Sequence, residues 1–497
     1  MKLSFELIDL FLVSPAICLF VFSLIPVMIK VFNNNKEISG LANVGVSMFG
    51  VLASIALTAG VVVYQIIQGH GKTVFDDALI IDGVSMLSSL LVAVITGFTL
   101  LMARESVAIR GKLFSEFCFL LLNAAVGMMI VAWARDMIVM FIGIELMSLC
   151  LYVMIAMSNE EVLSKEAAIK YFVLGSFASA ILLYGMAFIY GAVGSTYLKD
   201  IAQVAAELTG TNRIFVLGVA LAIVGLGFKV SLFPFHSWTP DVYHGSPTVV
   251  TAFMAAGVKA VVFVAFLRFI LTGVVIDVSA IATSNALQWL AVFTMFAGNL
   301  LALKQNSLKR MLAYSSISHS GYIMVGLIAA GSKGGQFVGS TGVLFYVFSY
   351  AIMTVGSFGV ISLFERSNNV LLSVDKLKGL ANRQPYTALC ITIFMLSLAG
   401  IPPTVGFFGK YFLFAAAIKQ GLYWLAVWGV MNSVISVYYY LRPVVCMYMS
   451  DEEGANITER QPTTYFTVLA SALLVLFLGI TSGVLYDVVH QSVKSMF

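Results

Sequence analysis

The sequence predicts an all-α, polytopic membrane protein of about fourteen transmembrane helices, with two inverted five-helix repeats that each contain a broken helix. Three observations support this fold class. The chain is 60% hydrophobic and only 10% charged, whereas soluble domains are about 25% charged. Apolar runs of about 20 residues, the length that crosses a bilayer, recur along the whole chain. Two of these runs are interrupted by Gly and Pro close to a lysine.

The predicted spans follow one another with short polar connections. The first run is predicted to be a retained helix rather than a signal peptide, because Glu6 and Asp9 precede it and no small-residue cleavage site follows it. Only Ala134, Arg135 and Asp136 separate the fourth run from the fifth, which predicts a tight turn. The predicted spans are 8–30, 42–67, 82–102, 114–132, 135–157, 167–192, 213–235, 247–271, 277–303, 309–330, 337–363, 385–418, 422–448 and 463–488.

Two spans are predicted to be broken. The twelfth run is too long for one straight helix and contains two consecutive prolines in AGIPPTVGFFGK, residues 399–410. The seventh ends in GLGFKVSLFPFH, residues 225–236. Interrupted helices in corresponding halves of a transporter mark an ion site, because a break frees backbone carbonyls and leaves room for water. The alternative is that both breaks are packing kinks. The residues assigned to the breaks, as helix breakers and candidate relays, are Pro234, His236, Pro402 and Pro403.

Polar residues recur at a spacing of about 180 residues, which favours two related five-helix units. The matching pairs are Lys229 with Lys410, Glu145 with His319, and Lys259 with Arg442. The predicted organisation is helices 1–3 in residues 1–112, the first repeat (helices 4–8) in 113–272, the second repeat (helices 9–13) in 273–449, and helix 14 in 450–497.

Four lysines and one glutamate inside the predicted spans are the candidate functional charges: Glu145, Lys170, Lys229, Lys259 and Lys410. Each charge at the centre of a bilayer helix costs about 2.5–3.5 kcal/mol, so the set indicates a path for ions or protons. Burial favours the neutral forms of lysine and glutamate, whereas a partner of opposite charge restores the charged forms. Making or breaking a Glu145–Lys229 pair would therefore switch proton affinity, with Lys259 as the central relay and Lys410 as the terminal group. Lys170 lies close to the start of its helix and can instead extend to the membrane interface.

A polar patch surrounds His319 in the sequence YSSISHSGY. The hydroxyls of Ser315, Ser316 and Ser318 could hold water beside the imidazole, as could that of Tyr322. This pattern favours a water-linked proton relay, and a hydrogen-bonded core histidine is the alternative.

Other kinds of site lack their sequence patterns. The five cysteines are scattered through apolar runs without a CxxC or a nearby histidine pair, which argues against a disulfide framework, a zinc site or an iron–sulfur site. GFFGKY, residues 406–411, lacks the Ser or Thr and the preceding strand of a phosphate-binding loop. No basic block points to nucleic acid. We therefore expect no metal, no bound cofactor and no redox site in this chain.

The loops predict an orientation. Lysine and arginine concentrate on cytoplasmic loops. If both termini lie outside, the inside loops hold more of these cations, and residues 365–383 form the clearest basic inside loop. Fewer cations, Arg268 among them, then fall on the outer side.

Four segments resemble the antiporter-like membrane subunits of respiratory complex I, and the resemblance covers nearly the whole chain. The segments are GIELMSLCLYV (143–153), GLGFKVSLFPFHSWTPDVYHGSP (225–247), LKRMLAYSSISHSGY (308–322) and LAGIPPTVGFFGKYFLF (398–414). Within that family, KEAAIKYFVLGSFASAILLYG (165–185) and YYYLR (438–442) are most similar to N-type subunits. Lys410 argues against the M-type, which has a glutamate there, and the length of 497 residues argues against the longer L-type.

The resemblance implies a subunit of a proton-translocating NADH–quinone oxidoreductase in a bacterial inner membrane. The implied partners are M-type, K-type and J-type membrane subunits, the lipid bilayer and, indirectly, a peripheral NADH-oxidising arm, with flavin, iron–sulfur clusters and quinone in those partners. The family's channel residues match Glu145, Lys229, Lys259, Lys410 and His319, and Lys170 matches a less central lysine.

Two other classes remain open from the sequence. An Mrp-type cation/proton antiporter subunit, or a membrane subunit of a related hydrogenase complex, would share the fold and the buried charges. A purely structural membrane scaffold would leave those charges dispensable.

Overall fold

The computed structural model describes residues 6–33, 39–69, 71–106, 108–109, 111, 113–158, 162–274, 281–365, 372–450, 454, 457 and 460–497. Helices dominate this part of the chain, which confirms the all-α membrane class. Ten of the described helices are long and apolar enough to cross a membrane. The number of fourteen crossings and the inverted repeats stay predictions.

The N-terminal part contains four helices and a short hairpin. The first predicted span, 8–30, is divided at Val13, and its long helix begins at Ser14 with Pro15 in the first turn, where proline is well tolerated. The elements are α1 (Leu7–Leu12), α2 (Ser14–Phe32), α3 (Gly40–Gln68), the antiparallel strands β1 (Lys72–Val74) and β2 (Leu79–Ile81), and α4 (Gly83–Ala103).

The middle of the chain contains the first broken helix. The predicted tight turn is present: α5 ends at Trp133, and Asp136 caps the next helix by accepting hydrogen bonds from the backbone N–H groups of Ile138 and Val139. A π-helical turn, Met254–Val258, directly precedes Lys259. The elements are α5 (Phe114–Trp133), α6 (Met137–Ala156), α7 (Val162–Val193), α8 (Leu198–Thr211), α9 (Arg213–Lys229), α10 (Trp238–Gly245), α11 (Thr248–Phe253) and α12 (Lys259–Phe269).

The last part of the chain contains the second broken helix. The predicted run 385–418 is two helices separated by Gly400–Thr404, and the predicted run 463–488 is divided at Thr481. The elements are α13 (Ile281–Leu303), α14 (Leu308–Gly331), α15 (Gln336–Phe364), α16 (Leu380–Arg383), α17 (Pro385–Ala399), α18 (Val405–Lys419), α19 (Tyr423–Tyr448), α20 (Pro462–Ile480) and α21 (Ser482–Lys494).

Glycines let the helices that carry the charged residues approach their neighbours closely. A β-carbon on Gly185 of α7 would lie 2.7 Å from the carbonyl oxygen of Gly218 on α9, and one on Gly127 of α5 would lie 2.9 Å from that of Gly143 on α6. Small residues at membrane helix crossings permit such contact and increase dispersion attraction. These crossings fix α6, which carries Glu145, and α9, which ends at Lys229.

A buried ion pair joins α12 to the N-terminal helices. Arg268 donates to both carboxylate oxygens of Asp82 at 2.9 Å, to Ser85 Oγ at 3.0 Å, and to the carbonyl oxygen of Ala132 at 2.9 Å. The side chains of Arg268 and Asp82 are 7% and 0% exposed. Arg268 lies in the last turn of α12, within the predicted span 247–271.

The connections meet in two groups. In one, Leu79 pairs with Ala134 and Asp136 with Tyr197, next to the β-hairpin. In the other, Ser307 pairs with Ser373, and Arg383 donates to the carbonyl oxygen of Gly454. The start of α15 lies at the hairpin end, because Phe337 packs on His490 of α21 and Gly83, which follows the hairpin, donates to Ser495 just after α21. The second group follows the far end of α15 and therefore lies at the opposite end of the helical bundle.

Candidate functional site

Lys229 lies at the end of α9, where the first broken helix is interrupted. Its side chain is buried, and Nζ donates to Ser148 Oγ on α6 at 2.8 Å. The rings of Tyr152 and Tyr171 lie 5.9 and 5.8 Å from the ammonium group, within the range of cation–π attraction. The ammonium group is therefore surrounded by a hydroxyl and aromatic faces.

Glu145 lies on α6, one turn before Ser148. It is half-buried, and its carboxylate accepts a hydrogen bond from Ser179 Oγ on α7. The predicted direct pair with Lys229 is absent from the described ion pairs within 4.0 Å. Residues three apart on a helix share a face, so Glu145 and Ser148 lie side by side. Lys229 binds Ser148.

Lys259 is the first residue of α12 and is 2% exposed. Its Nζ donates to the carbonyl oxygen of Ser316 at 2.7 Å and to Ser320 Oγ at 3.1 Å, both on α14. Ser320 Oγ in turn donates at 2.6 Å to the carbonyl oxygen of Val230, the residue after Lys229. One serine hydroxyl thus connects the second buried lysine to the helix end that carries the first.

His319 lies on α14 between two tyrosines. Its Nδ1 is 2.5 Å from Tyr346 Oη on α15, and its Nε2 is 2.9 Å from Tyr440 Oη on α19. Tyr440 Oη also hydrogen bonds with Ser315 Oγ. The ring of Tyr350 packs 4.9 Å from the imidazole, so the histidine is surrounded by aromatic residues.

Lys410 lies on α18, six residues after the second break. Its Nζ donates at 2.9 Å to the carbonyl oxygen of Ala399, the last residue of α17, and at 2.9 Å to Ser433 Oγ. The break leaves this carbonyl free for the lysine. Gly400 has φ of +86°, and a β-carbon there would lie 2.9 Å from the Lys410 side chain, so glycine is required for both conformation and space.

Lys170 and the break residues lie outside this buried group. Lys170 is half-exposed and pairs with Glu166 at 2.8 Å and Asp241 at 3.0 Å, while Arg310 binds the second oxygen of Asp241 at 3.0 Å. His236 is half-buried and stacks on Phe233, and its Nδ1 has no hydrogen-bond partner among the described residues. The remaining predicted break residues are exposed: Pro234, Pro402 and Pro403.

Helix α14 connects the buried lysines. Within its turns from Ser315 to Tyr322, the carbonyl oxygen of Ser316 binds Lys259, and Ser320 binds the end of α9. The centre of the Tyr322 ring lies 4.9 Å from Nζ of Lys410. Across the described part of the chain, no ion pair within 4.0 Å joins these three lysines to a carboxylate. The described partners of these three ammonium groups are therefore neutral oxygens and aromatic rings, which compensate an ammonium less well than a carboxylate does.

Several partners of these residues were not predicted from the sequence. Ser148 could have been found, because it lies three residues after Glu145 on one helix face. Ser320 lies in the polar patch around His319, and the other missed partners occur in apolar helices without a local pattern: Tyr346, Tyr350, Ser433 and Tyr440. Among the described residues, no group of three or more His, Cys, Asp or Glu could hold a metal ion.

Comparison with known proteins gives one consistent family. Residues 134–436 match the family described as NADH:quinone oxidoreductase/Mrp antiporter, transmembrane. The chain is 47% identical over 492 residues to NADH-quinone oxidoreductase subunit N of Bdellovibrio bacteriovorus, covering 99% of this chain and 100% of that one.

Two solved structures share the fold. A chain of respiratory complex I from Thermus thermophilus, solved with bound aureothin, has a TM-score of 0.79 and 32% identity, covering 95% of this chain and 98% of that one. A chain of the Mrp complex from Dietzia sp. has a TM-score of 0.83 and 21% identity, covering 99% of this chain and 97% of that one, and at that identity shows the fold alone.

Proposed function

This chain belongs to the NADH:quinone oxidoreductase/Mrp antiporter transmembrane family, and from this premise we propose that it is the N-type membrane-arm subunit of NADH–quinone oxidoreductase. In this role it translocates protons while other subunits transfer electrons from NADH to quinone. The observation that carries the proposal is the connection of three buried lysines by the polar turns of α14, without carboxylate partners in the described part of the chain.

The proposed path follows the hydrogen bonds of the site. Lys229, Lys259 and Lys410 hold the proton in turn. The hydroxyls of Ser148 and Ser320 exchange it with water between the first two lysines, and His319 connects the second lysine to the third. Hydroxyls suit this role because each can donate and accept a hydrogen bond.

Glu145 controls the first lysine in this proposal. When the carboxylate turns from Ser179 towards Lys229, the opposite charge favours the ammonium form, and when it turns back the lysine releases its proton. A pair at 4 Å is worth about 4 kcal/mol at an effective dielectric of 20. Moving one charge against 100 mV costs about 2.3 kcal/mol. The free energy of making or breaking this pair is therefore comparable to the free energy needed to pump one proton.

The partners and cofactors follow from the proposed complex. M-type, K-type and J-type subunits would flank the chain in the membrane. Flavin, iron–sulfur clusters and quinone would bind in partner subunits. Lys170 would belong to a charged cluster at one end of the bundle rather than to the central path.

We expect the tagged chain, extracted in mild detergent, to copurify with an NADH-oxidising assembly that contains flavin and iron–sulfur centres. Absorption and electron paramagnetic resonance spectra of the purified complex measure these centres. Reconstituted vesicles should acidify on NADH addition. A complex without redox centres that exchanges cations for protons would contradict the proposal and favour the Mrp-type alternative.

We further propose the predicted orientation and repeats. Both termini lie on the outer side of a bacterial inner membrane, with repeats in 113–272 and 273–449. The loop 365–383 then faces the cytoplasm, although residues 366–371 lie outside the described part. Support comes from the positions of Ser307, Ser373 and Arg383, which meet at one end of the bundle, away from the hairpin.

Thiol labelling should report this orientation. In a background with Cys18 and Cys446 replaced by alanine, Asp375→Cys should react with a membrane-impermeant maleimide in inverted vesicles but not in intact cells. The matched control, Asp76→Cys on the exposed hairpin turn, should show the opposite pattern. The reverse result for both would invert the orientation.

A further inference from the structure

His319 has a tyrosine hydroxyl on each ring nitrogen, and the two tyrosines come from different helices. Tyr346 on α15 faces Nδ1 at 2.5 Å, and Tyr440 on α19 faces Nε2 at 2.9 Å. The imidazole and both phenol rings are buried. Both ring nitrogens are therefore hydrogen-bonded to defined neighbours.

The two tyrosine hydroxyls can satisfy either neutral tautomer of His319. A neutral imidazole has one N–H donor and one acceptor nitrogen. One tyrosine must then donate to the ring while the other accepts from it. Because a phenol hydroxyl can do either, both tautomers of His319 are fully hydrogen-bonded in the same cage.

We propose that Tyr346 and Tyr440 are proton-relay residues that carry a proton through His319 while the imidazole stays neutral; this rests on the proposed function. The Tyr440 O–H proton bonds to Nε2 as the Nδ1–H proton moves to Tyr346 Oη, whose own proton passes through water to the neutral amine of Lys410. Ser315 returns a proton to Tyr440 and regains one, through water, from the ammonium group of Lys259. One proton crosses and no charge remains on the ring. A 180° flip of the ring, which exchanges the two nitrogens between the same hydroxyls, restores the starting arrangement.

The packing of Tyr346 directs this relay towards the third lysine. Its ring lies against Gly409, the residue before Lys410, so closely that a β-carbon at 409 would lie 2.5 Å from the ring. On the other side, Tyr440 bonds Ser315, the neighbour of Ser316, whose carbonyl binds Lys259. The relay thus lies between Lys259 and Lys410.

The test uses the assembled complex in membrane vesicles. Tyr346→Phe and Tyr440→Phe should each lower the proton-pumping rate about tenfold, the factor of one lost buried hydrogen bond, with unchanged amounts of assembled complex. Tyr439→Phe is the matched control. Its buried hydroxyl lies next in sequence but donates to Asn299 Oδ1 at 3.0 Å instead of His319. The control should keep its pumping rate within about twofold, since the hydrogen bond to Asn299 that it loses is not one of the two bonds made to His319.

A second variant and a second measurement separate relay from packing. Gly409→Ala displaces the Tyr346 ring while retaining every hydroxyl and should also lower pumping. The ratio of pumping rates in H₂O and D₂O should rise in both relay variants, because proton transfer becomes the slowest step, and stay unchanged in Tyr439→Phe.

Relay variants that pump like Tyr439→Phe, with the same isotope ratio, would overturn the relay. If the relay is overturned in this way but Lys259→Met abolishes pumping in the same vesicles, the proposed function still holds. If Lys259→Met also pumps normally, the proposed function itself is wrong.

Discussion

Lys259→Met is expected to reduce proton pumping by about 100-fold, the lower end of the contribution of a positioned proton-transfer group. Lys259 is 2% exposed, and its ammonium group binds the Ser316 carbonyl and the Ser320 hydroxyl rather than a carboxylate. Methionine has a similar length and fills the same space without a proton. The pumping rate in vesicles, with NADH oxidation recorded in parallel, measures the effect.

The same substitution should not destabilise the protein. Replacing a buried charge that lacks an ionic partner with an apolar side chain of similar volume is often neutral or stabilising. Thermal unfolding of the purified complex should therefore occur at the same or a higher temperature. Lys419→Met, at the exposed end of α18, is the control for loss of a cation and should pump normally. A Lys259→Met complex that pumps at the control rate would contradict the proposed path.

Arg268→Met is expected to destabilise the chain by about 3–5 kcal/mol, because it leaves the fully buried Asp82 carboxylate without its partner. Asp82 also caps α4 by accepting from the backbone N–H of Ser85, so the unpaired charge cannot move away without losing the cap. The quantity of assembled complex in membranes and its unfolding temperature measure the loss.

The paired control removes both charges. Arg268→Met combined with Asp82→Asn should recover most of the stability, since asparagine keeps the cap and no charge remains buried. If the single Arg268→Met variant assembled and unfolded like the unchanged chain, the ion pair would not hold α12 in place.

The sequence predicted the positions of the helices better than the contacts between their side chains. Apolar runs and the prolines near 234 and 402 predict helix positions because bilayer length and backbone geometry act locally. The buried lysines were found because a charge within an apolar run is costly. The ion pair of Arg268 was not predicted, because its partner, Asp82, lies 186 residues away and no local rule connects them.

The same limit applies within the candidate site. The sequence indicated Glu145 and Lys229 as a direct pair, but their helices place Ser148 at the ammonium group instead. Tyr346 and Tyr440 have no local pattern that separates them from other aromatic residues in apolar helices. Their positions depend on the packing of α14 against α15 and α19, which is a property of the whole bundle.

The two polar turns of α14 have a consequence for genetic analysis. Ser316 and Ser320 both bind Lys259, Ser320 also binds the end of α9, and the Tyr322 ring contacts Lys410. A substitution in this stretch therefore alters several proton sites together. Effects of residues that share partners do not add. Double variants across these turns will therefore show strong epistasis, and the contribution of one lysine can be read only against the genotype of its neighbours on α14.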